Sequence, residues 1–379
     1  MILVLLYAWT LITGFSASLM GSLWPVMYLD FDVALSAVGV FSWIGSVIGL
    51  IANLSSGWFL RRVGANRMTA ICACVMALST LGYTVSGEFW MLCLLSIPSG
   101  MAGGIIAAAM NNYVALHYPS RHMSWVHCMW GVGTIIGPNI VAYSLKHGYT
   151  WHLSYRFVFA AWTLWAIGII LARKLWKSDP AGSDGKSAAT PLRRLFRVRG
   201  VKEAVLTFFC YNSLEQGMMM WMSSYMVLHS RLSEDTAATY ASLFFIGITA
   251  GRMLNGFLTV RFDDDRLISF GHISIALGTA LMALPLGHAV TLAGLLLIGL
   301  GCAPVCPCML HATPKRFGSE ESQALVGVQV AASTLGNCIL PSLFGLAANH
   351  ISIALLPGYV LFCLVIMAAA HRRLAKLTA

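Results

Sequence analysis

Apolar and polar segments alternate along the 379-residue chain in a regular way. A membrane-spanning helix needs about 20 mostly apolar residues. The chain contains twelve such runs, at residues 2–29, 35–60, 68–86, 90–117, 123–146, 154–175, 203–229, 237–260, 267–286, 290–312, 322–348 and 353–371. The pattern predicts an all-α membrane protein with a six-helix bundle over 1–175, a basic cytoplasmic linker over 176–202 and a second six-helix bundle over 203–379.

Composition supports a polytopic membrane protein. Hydrophobic residues make up 58% of the chain and charged residues 10%, with a mean hydropathy of +0.76, which is more apolar surface than one soluble core could bury. The first apolar run is too long for a signal peptide and lacks a basic leader, so we expect it to be retained as a helix. All ten cysteines fall within apolar runs, and we predict no structural disulfide.

The basic residues predict the orientation in the membrane. Nine of them lie between Arg173 and Lys202, in a polar stretch that cannot bury enough apolar surface to fold alone. If the helices alternate from a cytoplasmic N-terminus, 20 of the 24 Lys and Arg residues lie on the cytoplasmic side. This asymmetry predicts a multi-pass protein of the cytoplasmic (inner) membrane with both termini inside. It also explains the net charge of +10 without a nucleic-acid partner.

The two halves repeat each other at an offset of about 200 residues, a feature typical of transporters. Gly133 lies five residues before Pro138, and Gly336 lies five residues before Pro341. Gly45, Gly49, Gly57 and Arg61 in helix 2 correspond, in that order, to Gly247, Gly251, Gly256 and Arg261 in helix 8. Small residues one turn apart allow close helix packing. We therefore predict two halves related by a pseudo-two-fold axis along the membrane normal.

Several short motifs together resemble one known family. They are Gly21-Ser-Leu-Trp24-Pro25, Asn111-Asn112-Tyr113, His127-Cys-Met-Trp130-Gly131-Val-Gly133, Gly137-Pro138, Tyr211-Asn-Ser-Leu-Glu215, Gly247-Ile-Thr-Ala-Gly251-Arg252 and Gly301-Cys-Ala-Pro304. In order and spacing the chain resembles the fucose-permease-like branch of the major facilitator superfamily. The resemblance implies a secondary transporter, not an enzyme, in which two pseudo-symmetric six-helix bundles rock around a midplane site. It implies no cofactor, and we expect a monomer.

The chain departs from this family at two places. The gating-loop motif between helices 2 and 3 keeps Gly57 and Gly64, but Arg61 stands where the family has Asp. The sugar–proton symporters of this branch carry acids in helices 1 and 4, whereas this chain has Ala107 at the helix 4 position and no acid in helix 1. The family's gating and proton coupling therefore cannot be transferred directly.

Two charged residues are predicted deep in the membrane. Glu215 lies about 18 Å from the start of helix 7 and Arg252 about 14 Å from the inner end of helix 8. Each would cost several kcal/mol unless it is paired or faces water. Glu215 is thus the candidate for proton coupling, together with Arg252. Either the two form an ion pair, or Glu215 faces an aqueous cavity away from Arg252, and we favour the second arrangement.

Polar and aromatic residues on several helices indicate the chemical class of the solute. Amides donate and accept hydrogen bonds at once, which suits hydroxyl groups, and aromatic rings can cover the C–H faces of a sugar. The predicted small-molecule site comprises Trp24, Asn111, Asn112, His127, Trp130, Tyr211, Asn212, Glu215, Gln216, Trp221, Gln329 and Asn337. These residues favour a sugar or sugar derivative, with protons as a further candidate partner beside the lipid bilayer.

Other interpretations remain open. Met218–Met220 and the Gly133–Pro138 pattern would also suit efflux of amphipathic drugs or metabolites. A membrane receptor would need a soluble regulatory domain, which the sequence does not show. Gly131–Gly137 has the wrong spacing for a dinucleotide loop. Cys302, Cys306 and Cys308 flank prolines that break the helix, so apolar packing is favoured over a metal site.

Overall fold

The computed structural model describes residues 2–118, 120–176 and 195–378, and these residues form twelve long helices with no strand. The helices of the first half are α1 (Ile2–Asp30), α2 (Val38–Val63), α3 (Ala65–Tyr83), α4 (Phe89–His117), α5 (Ser120–Lys146) and α6 (His152–Ala172). Those of the second half are α7 (Val201–Leu228), α8 (Glu234–Leu258), α9 (Asp264–Ala283), α10a (His288–Cys302) with α10b (Val305–Phe317), α11 (Ser319–His350) and α12 (Leu356–Thr378). Short 3-10 turns cover Leu35–Ala37, Arg173–Leu175 and Ile353–Leu355.

The twelve predicted helices are confirmed, with ends that differ by only a few residues. By length and mean hydropathy, ten of the helices in the described part of the chain qualify as membrane spans. The other two are α3 and α7. Asn66 and Arg67 lower the hydropathy of α3, and polar residues including Asn212, Glu215 and Gln216 lower that of α7. The polar residues that weaken the span signal of α7 are also those predicted to bind solute.

The tenth helix is interrupted, as its prolines predict. A turn at Ala303 and Pro304 separates α10a from α10b. Proline lacks the backbone N–H that would continue the helical hydrogen bonds of the preceding turn. Pro307 lies in the first turn of α10b, where its missing N–H is tolerated. The break places Cys302 and Cys306 on either side of an irregular turn.

The described residues divide into two compact units. One unit contains α1–α6 together with Leu232–Ser242, and the other contains α7, the remainder of α8, and α9–α12. Within the first unit, α1 packs on α5, α2 on α4 and α3 on α6. An ideal Cβ at Gly133 would lie 2.0 Å from the Leu11 carbonyl oxygen, and one at Gly104 would lie 2.2 Å from that of Gly49. These helices therefore touch through their backbones.

The second unit pairs its helices in the same order. Here α7 packs on α11 and α9 on α12, while α8 meets α10a through glycine contacts. An ideal Cβ at Gly336 would lie 2.4 Å from the Phe209 carbonyl oxygen, and one at Gly299 would lie 2.2 Å from that of Phe244. The repeat inferred from glycine spacing thus corresponds to equivalent backbone contacts in each unit.

Candidate functional site

The structure brings Glu215 and Arg252 together inside the second unit. Arg252 Nη2 lies 3.5 Å from Glu215 Oε1, and the exposed fractions of the two side chains are 24% for Arg252 and 11% for Glu215. The arrangement that we favoured from the sequence, with Glu215 directed away from Arg252, is therefore wrong. A charge inside an apolar bundle is costly unless an opposite charge compensates it, and α8 supplies that compensation.

Three further side chains surround this pair. Tyr211 precedes Glu215 by one helical turn on α7, and positions i and i+4 share one helix face. The Tyr211 side chain is almost fully buried, and it interacts with both Glu215 and Arg252. Cys302 and Cys306, on either side of the α10 break, lie within electrostatic range of both charges. We call these five residues the α7–α8–α10 cluster.

From the sequence, parts of this cluster have other predicted roles. Tyr211 is among the stacking aromatics, and Cys302 and Cys306 are interpreted as packing residues. The spacing of Tyr211 and Glu215 signals a shared face, and Pro304 signals an irregular turn near the cysteines. Neither signal shows that the turn lies beside the ion pair, because that depends on how α7, α8 and α10 are rotated about their axes. The ten cysteines all lie in the described ranges, and no disulfide joins any two of them.

Three of the predicted site residues on α7 and α11 form hydrogen bonds to neighbouring helices. Asn212 Nδ2 donates to Ser333 Oγ at 2.8 Å, and Trp221 Nε1 donates to the Pro341 carbonyl oxygen at 2.8 Å. Gln329 Nε2 donates to Thr313 Oγ1 at 3.2 Å. Trp221 and Gln329 are completely buried. In this conformation both hold helices together, and their role in solute binding stays a prediction.

Gln216 and Asn337 differ from these residues. Both are half-buried, and neither side chain hydrogen-bonds to another described residue. An amide that is not engaged within the protein can serve a ligand, since it offers both a donor and an acceptor. Of the predicted amides in the second unit, these two are the most available to a polar solute.

The first unit holds the other predicted residues. Trp24 is completely buried, and its Nε1 donates to the Leu35 carbonyl oxygen at 2.7 Å. Asn112 and His127 are exposed, whereas Asn111 and Trp130 are half-buried. The Oδ1 atom of Asn111 is itself buried, and no described residue donates a hydrogen bond to it. Trp24 thus contributes to packing, while the α4 amides stay candidates for solute contact.

The predicted gating loop is a one-residue connection between α2 and α3. Gly64 has φ of +87° and ψ of 141°, a backbone conformation that is essentially restricted to glycine. Its N–H donates to the Leu60 carbonyl oxygen at 2.9 Å and so ends α2. Gly57 is exposed about two turns earlier. The side chain of Arg61 lies outside what the structure describes, and its gating role stays a prediction.

A second polar network, which the sequence does not predict, surrounds Asp263 and Asp265. Asp263 Oδ1 caps its own helix, α9, by accepting the Arg266 backbone N–H at 2.8 Å. Asp265 Oδ1 accepts a hydrogen bond from Arg316 and lies 2.8 Å from His371 Nε2. One carboxylate thereby links α9, α10b and α12. Hydrogen-bond partners that lie so far apart in the chain cannot be identified from the sequence.

Comparison with known proteins agrees with this fold. A family model described as Major Facilitator Superfamily matches residues 6–341. Comparison with curated protein sequences gives no match. Among solved structures, a D-xylose-proton symporter has a TM-score of 0.80 at 15% identity, covering 100% of this chain and 97% of that one. A mutant of the nucleoside transporter NupG has a TM-score of 0.77 at 13% identity, covering 100% of both chains.

A third structure belongs to the branch that the sequence motifs resemble. A mutant of the Escherichia coli fucose:proton symporter FucP has a TM-score of 0.63 at 18% identity, covering 98% of this chain and 97% of that one. At these identities the neighbours establish the fold. Because the family model spans most of the sequence, the chain belongs to the Major Facilitator Superfamily and is a membrane transporter, not an enzyme.

Proposed function

We propose that this protein is a proton-coupled secondary transporter that moves a small polar solute, a sugar or sugar derivative, across the cytoplasmic membrane by alternating access. The observation that carries the proposal is the ion pair of Glu215 and Arg252, 3.5 Å apart within two apolar helices. Both side chains retain some exposure, so a proton can reach the carboxylate. A charged pair that served packing alone is often replaceable by apolar residues without loss of stability, which favours a functional role.

The polar inventory supports a hydroxyl-bearing solute. Gln216 and Asn337 supply amides in the second unit, and Asn111 and Asn112 supply them in the first. The solved neighbours named as fucose:proton and D-xylose-proton symporters favour the same solute class and the same coupling ion. The unequal distribution of Lys and Arg among the loops supports an inner-membrane location with both termini inside.

The structure weakens the main argument for drug efflux. That interpretation used the methionines of α7 as an adaptable cavity wall. Met218, Met219 and Met220 are 0%, 8% and 4% exposed. Methionines this buried fill gaps between helices in this conformation. A polar solute is therefore the better proposal.

Transport by purified protein in liposomes tests the proposal. Labelled sugars, nucleosides and amphipathic drugs are offered with and without an inside-alkaline pH gradient. We expect accumulation of at least one sugar or sugar derivative, driven by the gradient and absent from protein-free liposomes. Equal uptake with and without the gradient would show that protons are not coupled. Transport of the drugs alone would reject the solute class.

Glu203→Gln is a matched control for variants of Glu215. Glu203 lies on the same helix and pairs with Arg373 at 3.0 Å, where the Arg373 side chain is 74% exposed. Removing the negative charge of Glu203 alters the same helix by the same chemical change, away from the α7–α8–α10 cluster. We expect this variant to keep gradient-driven accumulation, whereas Glu215→Gln loses it.

A further inference from the structure

Three buried nitrogen atoms lie close together at one end of the second unit, which the distribution of Lys and Arg predicts to be cytoplasmic. They are Arg316 Nη1 on α10b, His371 Nδ1 on α12 and His272 Nε2 on α9, and none has a hydrogen-bond partner among the described residues. The side chains of Arg316 and His371 are 8% and 3% exposed, and His272 is also buried. Because buried polar atoms in proteins nearly always have a partner, these three indicate a ligand.

One carboxylate oxygen holds two of these side chains together. Asp265 Oδ1 accepts a hydrogen bond from Arg316 Nη2 and lies 2.8 Å from His371 Nε2. Each partner therefore uses one nitrogen atom on Asp265 and keeps a second one for another acceptor. The ring centroids of His371 and His272 are 5.4 Å apart, which adds the third nitrogen atom to the group. We call Asp265, His272, Arg316 and His371 the α9–α10b–α12 cluster.

The three nitrogen atoms are hydrogen-bond donors or become donors when a proton is taken up. A guanidinium donates from every nitrogen atom and accepts from none. Neutral His371 has one N–H, which the Asp265 carboxylate requires at Nε2, so that Nδ1 keeps a lone pair. A proton turns Nδ1 into a second donor, and imidazole takes up protons between about pH 5 and 8. His272 donates from Nε2 in one of its two neutral tautomers. The cluster therefore suits an acceptor.

The charges of the cluster favour an acceptor with one negative charge. Arg316 and Asp265 neutralise each other, so a protonated His371 leaves the cluster with one positive charge. Arg372, the next residue of α12, interacts electrostatically with His272 and adds positive potential. A buried charge is costly unless an opposite charge compensates it, and Asp265 is already shared by two partners. An anion supplies the missing compensation.

The other described charged side chains near the ends of α7, α9, α10b and α12 are paired with one another or exposed. The pairs are Glu203 with Arg373 at 3.0 Å, Asp264 with His311 at 2.9 Å and Asp263 with Arg266 at 3.5 Å. The exposed side chains are those of Arg197, Arg199, Lys202, Lys315 and Lys376. Each described carboxylate in this set thus has a cation of its own. The counter-ion of the cluster therefore comes from solution.

We infer that the α9–α10b–α12 cluster binds a small monovalent anion, such as chloride, and that His371 takes up a proton when the anion binds. Arg316 Nη1, His371 Nδ1 and His272 Nε2 donate to the anion. The charges balance, because binding adds one proton and one negative charge to a neutral cluster. A compact ion fits side chains that are nine-tenths buried, whereas a large ligand needs an open surface. The site is separate from the α7–α8–α10 cluster, and its occupancy ties together the ends of three helices.

Thermal unfolding of the purified parent protein tests anion binding without any variant. The unfolding temperature Tm is measured in sodium chloride and in sodium gluconate of equal ionic strength, at pH 6.0 and pH 8.0. We expect chloride to raise Tm by about 3–6 °C at pH 6.0, at a concentration about tenfold above its dissociation constant. The rise should be less than half as large at pH 8.0, since neutral His371 donates from one nitrogen atom only. Equal Tm values in the two salts, as an internal water molecule would give, or equal rises at the two pH values would overturn the inference.

Variants locate the anion within the structure. His371→Gln keeps an amide donor for Asp265 but cannot take up a proton, and we expect it to lose both the chloride effect on Tm and its pH dependence. His272→Phe keeps a ring of similar size and should reduce the chloride effect. His311→Gln is the matched control, because His311 also pairs with an aspartate of α9 but its side chain is 82% exposed. This control should respond to chloride as the parent does. An undiminished chloride effect in His371→Gln would show that the anion binds elsewhere and would overturn the inference.

Discussion

Adding a single methyl group at Gly336 tests how tightly α7 and α11 are packed. In Gly336→Ala the new Cβ would lie 2.4 Å from the Phe209 carbonyl oxygen and 3.2 Å from Ser213 Oγ. Ordinary contacts begin near 3.4 Å, so the two helices must separate by roughly 1 Å. Gly327→Ala is a matched control on the same helix, because nothing lies within 4 Å of its ideal Cβ.

The expected magnitudes follow from three contributions. Overpacking costs about 1–3 kcal/mol, and moving α11 strains the hydrogen bond from Ser213 Oγ to the Gly336 carbonyl oxygen, 3.0 Å long, which is worth about 1 kcal/mol. Replacing glycine by alanine in a helix stabilises the folded state by about 1 kcal/mol at either position, because alanine has the higher helix propensity. Gly336→Ala should therefore lose roughly 2 kcal/mol of stability, whereas Gly327→Ala should be neutral or slightly stabilised.

Thermal unfolding followed by tryptophan fluorescence measures the difference. A change of 1 kcal/mol shifts Tm by about 2–4 °C in a unit of this size. We expect Gly336→Ala to unfold about 4–8 °C below the parent and Gly327→Ala at or above it. The same displacement tilts the helix that carries Glu215, so solute accumulation should also fall in Gly336→Ala alone. Equal Tm values for the two variants would refute the backbone contact between α7 and α11.

Three further predictions use the same measurement of thermal stability. Glu215→Gln should lower the free energy of unfolding by about 1–3 kcal/mol, less than the 3–5 kcal/mol expected for a fully buried pair. Adding Arg252→Gln should recover at least half of this loss. If the losses of the two variants add instead, the two charges do not interact. The control Glu203→Gln should cost under about 1 kcal/mol, as expected for a pair with one exposed partner. Gly64→Ala should cost about 1–3 kcal/mol because of the positive φ, and an unchanged Tm would contradict the turn geometry. Asp265→Asn should lower the free energy of unfolding by about 1–3 kcal/mol and speed proteolysis near the ends of α10b and α12. Resistance to protease equal to that of the parent would contradict this prediction.

The helices and the glycines at which they pack could be predicted from sequence because their signals are local. A run of about 20 apolar residues specifies a spanning helix without reference to any other segment, and glycines in register mark where two backbones can touch. Gly133 and Gly336 were recognised in this way, and each lies against a carbonyl oxygen of its partner helix. The family resemblance also follows from local motifs, and the match over residues 6–341 confirms the superfamily.

The partners of the polar side chains could not be predicted in the same way. Asn212 and Gln329 were chosen because amides suit hydroxyl groups, yet both bond to hydroxyls of the protein itself, those of Ser333 and Thr313. Spacing along one helix tells which residues share a face. It does not tell what that face meets, because the rotation and tilt of each helix depend on all of its neighbours.

The sequence by itself determined the twelve helices, the glycines that allow close helix packing and the presence of two deep charges. Only the tertiary structure decided that Glu215 and Arg252 lie 3.5 Å apart, and that Asp265 joins Arg316 to His371. The physical reason is one of range. Hydrophobic transfer acts on each segment separately, whereas a charge pair forms within a few ångströms and depends on the packing of residues far apart in the chain.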